Sequence, residues 1–171
     1  MARRRKSTKF KLPGLRQYID QVGRTIAAEA AEEIVTDLKK KGPYFSGEFE
    51  ENWVVVTGDK RIPADKKSSL SQEEKFEAWK SAVLPFTRRV TPVAIPPLSK
   101  GDESGYTIGN RMEYRNIALD LVPGRYEPGR QNTAPKDWYA IYIQGGGLAN
   151  ALKRATGKAS TNPRIRGFRA K

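Results

Sequence analysis

The 171-residue chain contains no cysteine and no histidine. Without cysteine there is no disulfide scaffold, no thiolate zinc site and no cysteine nucleophile. Without histidine, the usual acid–base side chain and the commonest metal ligand are missing as well. Long apolar runs are also lacking. The longest, Trp138–Ile143, has six residues, against the roughly 20 that a membrane-spanning helix needs. The basic N-terminus has no apolar stretch behind it, so it is not read as a secretory signal. Hydrophobic residues make up 37% of the chain, below the roughly 45–50% of an average globular domain. One domain is expected from the length, with part of the chain outside its core. These absences point to a soluble, non-secreted protein that is not an enzyme, needs no cofactor or metal, and does not enter a membrane.

Acidic residues are missing from both ends. Residues 1–16 hold seven basic residues and no acid, residues 153–171 hold seven more and no acid, and the net charge is +13. The other 18 basic residues share 17–152 with all 19 acids, a net of −1. A neutral body with two basic arms, 1–14 and 153–171, is therefore expected. Pro13-Gly14 and Ser160-Thr161-Asn162-Pro163 punctuate the arms for an extended path. Such arms bind polyanions or keep a protein soluble. The candidate interface residues are Arg3, Arg4, Arg5 and Lys6 at one end, and Arg164, Arg166 and Arg169 at the other.

Between the arms, Leu15–Lys41 reads as a long amphipathic helix. Leu15, Tyr18, Ile19, Val22, Ile26, Ala30, Ile34 and Leu38 form one stripe, with Glu29, Glu32, Glu33 and Asp37 elsewhere. Lys39–Lys41 suit the C-terminal dipole, and Gly42-Pro43 stops the helix. Trp53–Val56 is a short strand closed by Thr57-Gly58-Asp59. Residues 58–105 read as a long insertion. It opens with a polar loop, continues with a capping box at Ser71–Glu74 and a short helix carrying Phe76, Trp79, Ala82 and Val83, and then has a stretch at 90–98 whose prolines bar a central strand. Tyr106–Ile108 is the second strand, and Glu113–Val122 has helical spacing. A helix start is expected at Thr133-Ala134-Pro135, with Trp138, Ile141, Tyr142, Leu148 and Leu152 on one face. Gly145-Gly146-Gly147 should kink or break that helix. A strand at Tyr139–Ile143 is the alternative.

Chemistry-bearing patterns are sparse. Glu48, Glu50, Glu51, Glu73 and Glu74 stand in loop or helix-start contexts where carboxylates are solvated. The triple glycine lacks the Lys-Ser/Thr of a phosphate loop, and close backbone packing explains it better. Trp53, Trp79 and Trp138 each lie on an apolar face and are read as core. Arg-rich ends beside Phe10 and Phe168 fit electrostatic nucleic-acid binding, with no signature of a sequence-reading module.

The order of short motifs resembles one family. Gly42-Pro43-Tyr44-Phe45-Ser46-Gly47, then Phe49–Val55, is similar to the "Pro-x-x-Ser/Thr-Gly … Asn-Trp, strand" segment of the tail-completion proteins (neck, minor tail or head–tail joining proteins) of tailed bacteriophages. Tyr106-Thr107-Ile108-Gly109-Asn110 with Tyr114, Ala118 and Leu121 resembles the family's strand, Asn, Tyr and short helix. Ala134-Pro135-Lys136-Asp137-Trp138 resembles its Ala-Pro-x-Gly block, with Asp137 in place of Gly. These motifs cover about half the chain. The resemblance implies an α+β fold, in which the long N-terminal helix packs on a small, mostly antiparallel sheet with short additional helices. The two basic arms extend beyond this domain of residues 15–152. It also implies a homo-oligomeric ring, six- or twelvefold, among neck, portal-side and tail-tube proteins. That ring would be assembled in the host cytoplasm and carried in the virion. The arms would lie on a neighbouring subunit, on an acidic partner ring, or non-specifically on DNA in the channel. Loops 58–70 and 123–133 are the expected docking points. A nonspecific DNA- or RNA-binding architectural protein is the alternative.

Overall fold

The computed structural model describes residues 15–43, 47–71, 73, 74, 77, 90–99, 105–121 and 134–162. Among them the chain forms α1 (Leu15–Lys41), α2 (Glu48–Glu51), β1 (Trp53–Thr57), β2 (Tyr106–Asn110), α3 (Arg115–Ala118), α4 (Trp138–Gln144) and α5 (Gly147–Thr161). The architecture is α+β: a long N-terminal helix on a two-stranded antiparallel sheet, with short helices around it.

α1 has 27 residues, about 40 Å at 1.5 Å per residue. Alanines at 27, 28, 30 and 31 favour it intrinsically, and three lysines in its last turn complement the dipole. The stop falls where expected. Gly42 N–H donates to Leu38 O at 2.9 Å. A Cβ at Gly42 would lie 2.7 Å from that same oxygen and 3.2 Å from the Trp138 ring, so only glycine leaves Trp138 its place. The stripe read from the sequence needs correcting at its N-terminal end. The buried face is Ala30, Ala31, Val35 and Leu38, while Ile19 is 58% exposed. Ile19 lies N-terminal to the part of α1 that α5 accompanies, around Glu33 and Asp37.

α5 forms the second layer against α1. Gly147, Ala151, Ala155 and Ala159 are buried at intervals of four and lie on one side of the helix. This small-residue face packs on α1, so the axes can approach the short end of the usual 8–10 Å range. The helices run antiparallel, because Arg154 bonds Asp37 while Lys158, one turn later, pairs with Glu33, one turn earlier. Of the expected apolar face, Trp138 and Tyr142 are buried as expected, whereas Ile141 and Leu152 are exposed and alanines take over the buried face of α5. The expected C-terminal arm likewise begins too early at 153: α5 continues to Thr161 and packs on α1.

The glycine break is present. α4 ends at Gln144 with Gly145 as its cap, and Gly146, at φ +87°, turns the chain into α5. A side chain at Gly147 would lie 2.4 Å from the Tyr142 ring. The helix start expected at Thr133–Pro135 is displaced to Trp138. Asp137 is left-handed at φ +60°, and its N–H donates to Asp120 Oδ2 at 2.7 Å. Ala134 is instead buried in the core. The helix expected over 113–122 shortens to α3, because Asp120 at φ +56° cannot continue it. The single-turn helix α2 has no counterpart among the elements expected from the sequence.

β1 alternates inward Trp53, Val55 and Thr57 with half-buried Val54 and Val56. It pairs with β2 from Trp53 opposite Asn110 to Thr57 opposite Tyr106. The insertion leaves and rejoins this hairpin at a single point, where Gly58 N–H donates to Gly105 O at 2.8 Å. Within it, Lys66 forms a parallel bridge to Met112. Ser71 N–H and Oγ exchange bonds with Glu74 as a capping box. Residues 90–99 carry no strand, as their prolines require. The Phe76–Val83 face lies outside the described residues.

The core joins α1 (Ala31, Val35, Leu38), Phe49, Trp53, Val55, Met112, Ala118, Ala134, Trp138 and Tyr142. Phe49 meets Trp53 edge-on at 5.6 Å and stacks on Tyr114 at 6.3 Å. Buried polar groups tie its parts together. Asn110 Nδ2 donates to Phe49 O at 2.6 Å and its Oδ1 accepts from Met112 N–H. Trp138 Nε1 donates to Ala118 O at 2.9 Å.

Candidate interaction surfaces

The arm residues Arg3, Arg4, Arg5, Lys6, Arg164, Arg166 and Arg169 lie outside the described residues, as do Trp79 and the 123–133 loop. Two cations counted with the C-terminal arm, Arg154 and Lys158, are already engaged. Glu33 is only 8% exposed, and a buried carboxylate needs charged partners. Arg154 Nε donates to its Oε2 at 2.6 Å, a second Arg154 nitrogen donates to Asp37 Oδ2 at 2.7 Å, and Lys158 Nζ pairs with Glu33 Oε1. Lys158 first and Arg154 second hold the Glu33 carboxyl below the usual range, and the bond to Glu33 raises Lys158 in turn. The apolar periodicity of α1 puts Glu33 and Asp37 off the packed face. They belong to it, and the signal was the i, i+4 spacing of Arg154 and Lys158 opposite the i, i+4 spacing of Glu33 and Asp37.

Two carboxylates expected to be solvated are buried. Glu48 accepts bonds from Ser68 Oγ at 2.5 Å and from Ser69 N–H at 2.9 Å. This fixes the start of α2 to the insertion loop, so Glu48 acts as an anchor. Glu50 is 7% exposed, while Glu51, Glu73 and Glu74 are exposed as expected.

Two recesses open on this frame. One, of about 590 Å³, runs under the N-terminal half of α1 and is lined by Asp20, Arg24, Glu29, Pro97, Tyr106 and Asn162 among others. Tyr106 Oη donates to Pro96 O at 2.7 Å and sets its floor. The other, of about 380 Å³, lies between β1 and the strap of residues 91–94, with Lys39 and Glu51 at its margin. Lys39 holds the strap by donating to Thr91 O at 2.7 Å. Exposed apolar side chains stand apart from both, notably Leu121 and Ile141. Tyr142, on the inner face of α4, is buried, and its hydroxyl has no partner among the described residues. Burial, and then the charge of Asp37, push this phenol up to about 12, while the Lys41 ammonium sits 4.9 Å from its ring centre.

Among the described residues, no group of three or more acidic side chains is placed to hold a metal ion, and no helix is long and apolar enough to cross a membrane. The arrangement is one of ion pairs, anchors and recesses. Comparison with protein-family models, curated proteins and solved structures finds no match to this chain.

Proposed function

We propose that the chain is a structural protein of the neck of a tailed bacteriophage, a tail-completion or head–tail joining component. It would build a ring between portal-side proteins and the tail tube in the virion. The observation that carries this reading is the convergence of the motif residues. Gly42, Phe49, Trp53, Asn110, Tyr114, Ala118, Ala134 and Trp138 come from three separated sequence blocks. They meet in one hydrogen-bonded aromatic core. One shared core for the three resembling blocks is the arrangement that a single domain of this kind requires. The mechanism is structural. The packed body presents recesses and an excursion loop to neighbours, and the arm cations Arg3, Arg4, Arg5, Lys6, Arg164, Arg166 and Arg169 supply charge for an acidic surface.

The +13 net charge favours a second reading, an architectural protein that coats DNA or RNA. Titration of labelled duplex DNA between 50 and 200 mM salt separates the two. The neck reading expects dissociation constants at 150 mM salt no tighter than the nonspecific range of about 10⁻⁴–10⁻⁶ M. Nanomolar affinity with a steep salt slope would put the coating reading first.

A further inference from the structure

Among the described residues, the two-stranded sheet leaves one edge of β1 without a partner. The bonded pairs Gly58–Gly105 and Asn52–Arg111 fix the phase of the ladder. In an antiparallel ladder, bonded and non-bonded pairs alternate, so Val54 and Val56 face β2. The backbone groups of Trp53, Val55 and Thr57 therefore point to the other side. These residues are 4%, 7% and 5% exposed, and a buried amide normally finds a partner. The 91–94 strap runs along this side, but no hydrogen bond joins it to β1 among the described residues. The recess of about 380 Å³ lies between them. Trp53, which lines it, also has a buried indole N–H without a partner among the described residues. An unpaired, recessed strand edge is a template for an added strand.

We propose that this edge receives an extended strand from a second copy of the chain, residues Lys9–Leu12 of its N-terminal arm. This deepens the ring reading above by naming the contact between copies, and it rests on that reading. Lys9-Phe10-Lys11-Leu12 alternates cation and apolar residue, the period of a half-buried strand. Added to β1, Phe10 and Leu12 continue the inward face of Trp53 and Val55. Lys9 and Lys11 fall on the open face, where Glu51 at the margin of the recess is exposed. The Ile165–Phe168 stretch fits less well, because Gly167 stands where the alternation requires an apolar side chain. The arm of the same copy is too short. α1 carries Leu15 about 36 Å from Lys39, at 1.5 Å per residue, whereas Leu12 lies at most about 11 Å from Leu15 along the chain.

The native absence of cysteine makes the test direct. The Lys11→Cys/Val54→Cys and Lys11→Cys/Val56→Cys variants cover the two open-face registers, and Lys67→Cys/Val54→Cys is the control. Under mild oxidation, one of the first two should give a ladder of cross-linked chains at least about tenfold above control; a full tenfold corresponds to ~1.4 kcal/mol. A closed single-chain product, or a yield equal to the control in both registers, overturns the proposal. A second variant, Phe10→Asp/Leu12→Asp, leaves the described residues intact. It should abolish self-association with an unchanged circular dichroism spectrum; self-association that survives also overturns the proposal. A wild-type chain that stays at 19.2 kDa at every concentration overturns the strand exchange but not the neck reading. That reading falls instead on DNA-length-dependent loading.

Discussion

Replacing Glu33 with Gln isolates the α1–α5 lock. The substitution keeps shape and burial but removes the charge that Arg154 and Lys158 share. Arg154 retains Asp37 at 2.7 Å. Both cations are about half exposed, at 45% and 53%, so they return to water cheaply. The loss should therefore be that of a charge-assisted hydrogen bond, about 1–2 kcal/mol, and not the 3–5 kcal/mol of a fully buried broken pair. At this chain length that lowers the melting temperature by about 2–8 °C at pH 7. The pH dependence supplies the sign. Glu33 titrates below its ordinary 4.5 in the folded chain, so the unfolded chain takes up this proton first as pH falls. The stabilisation is complete above about pH 4.5 and disappears as pH drops through the folded-state value. Thermal melts of wild type and Glu33→Gln should differ at pH 7 and converge as the pH falls below the folded-state value. A gap that is constant across pH, or that widens in acid, would refute the assignment of this stability to the Glu33 charge.

Two glycines should respond in opposite directions. Gly147→Ala drives a Cβ to 2.4 Å from the Tyr142 ring and 2.8 Å from its carbonyl, for a loss of about 1–3 kcal/mol in urea unfolding. Gly23→Ala meets nothing within 4 Å in mid-helix and should gain about 0.5–1 kcal/mol. Asn110→Ala strands Phe49 O and Met112 N–H in the core and should cost about 2–3 kcal/mol by the same assay. Replacing Arg3, Arg4 and Arg5 together by Ala should leave stability within about 0.5 kcal/mol while weakening assembly or polyanion contact. If that variant unfolds, the arm belongs to the fold and the partition into arm and body is wrong.

The strongest local signals carried over directly into structure. α1 was legible from its composition, its lysine-rich last turn and Gly42-Pro43. β1 was legible from Trp53–Val56, and the helix break from three glycines in a row. What was lost depends on partners distant in sequence. The apolar stripe on α1 looked continuous through Ile19, but Ile19 lies N-terminal to the part of α1 that α5 accompanies, around Glu33 and Asp37. Glu33 and Glu48 looked solvated because nothing local predicts Lys158 or Ser68 beside them. The left-handed Asp120 and Asp137 each cut a helix that periodicity alone would extend. Of the candidate interface, the charged arms were legible as composition, whereas the unpaired edge of β1 emerges only from the phase of its ladder with β2.

The central claim, a neck component that docks on protein, is tested most directly by light scattering. The mass of the purified chain would be measured at low and high salt, alone and with duplex DNA of two lengths. The account predicts a mass that is 19.2 kDa or a fixed closed multiple of it, the same with either DNA. A mass that grows in proportion to DNA length and collapses in high salt would contradict it and make the chain a coat for nucleic acid.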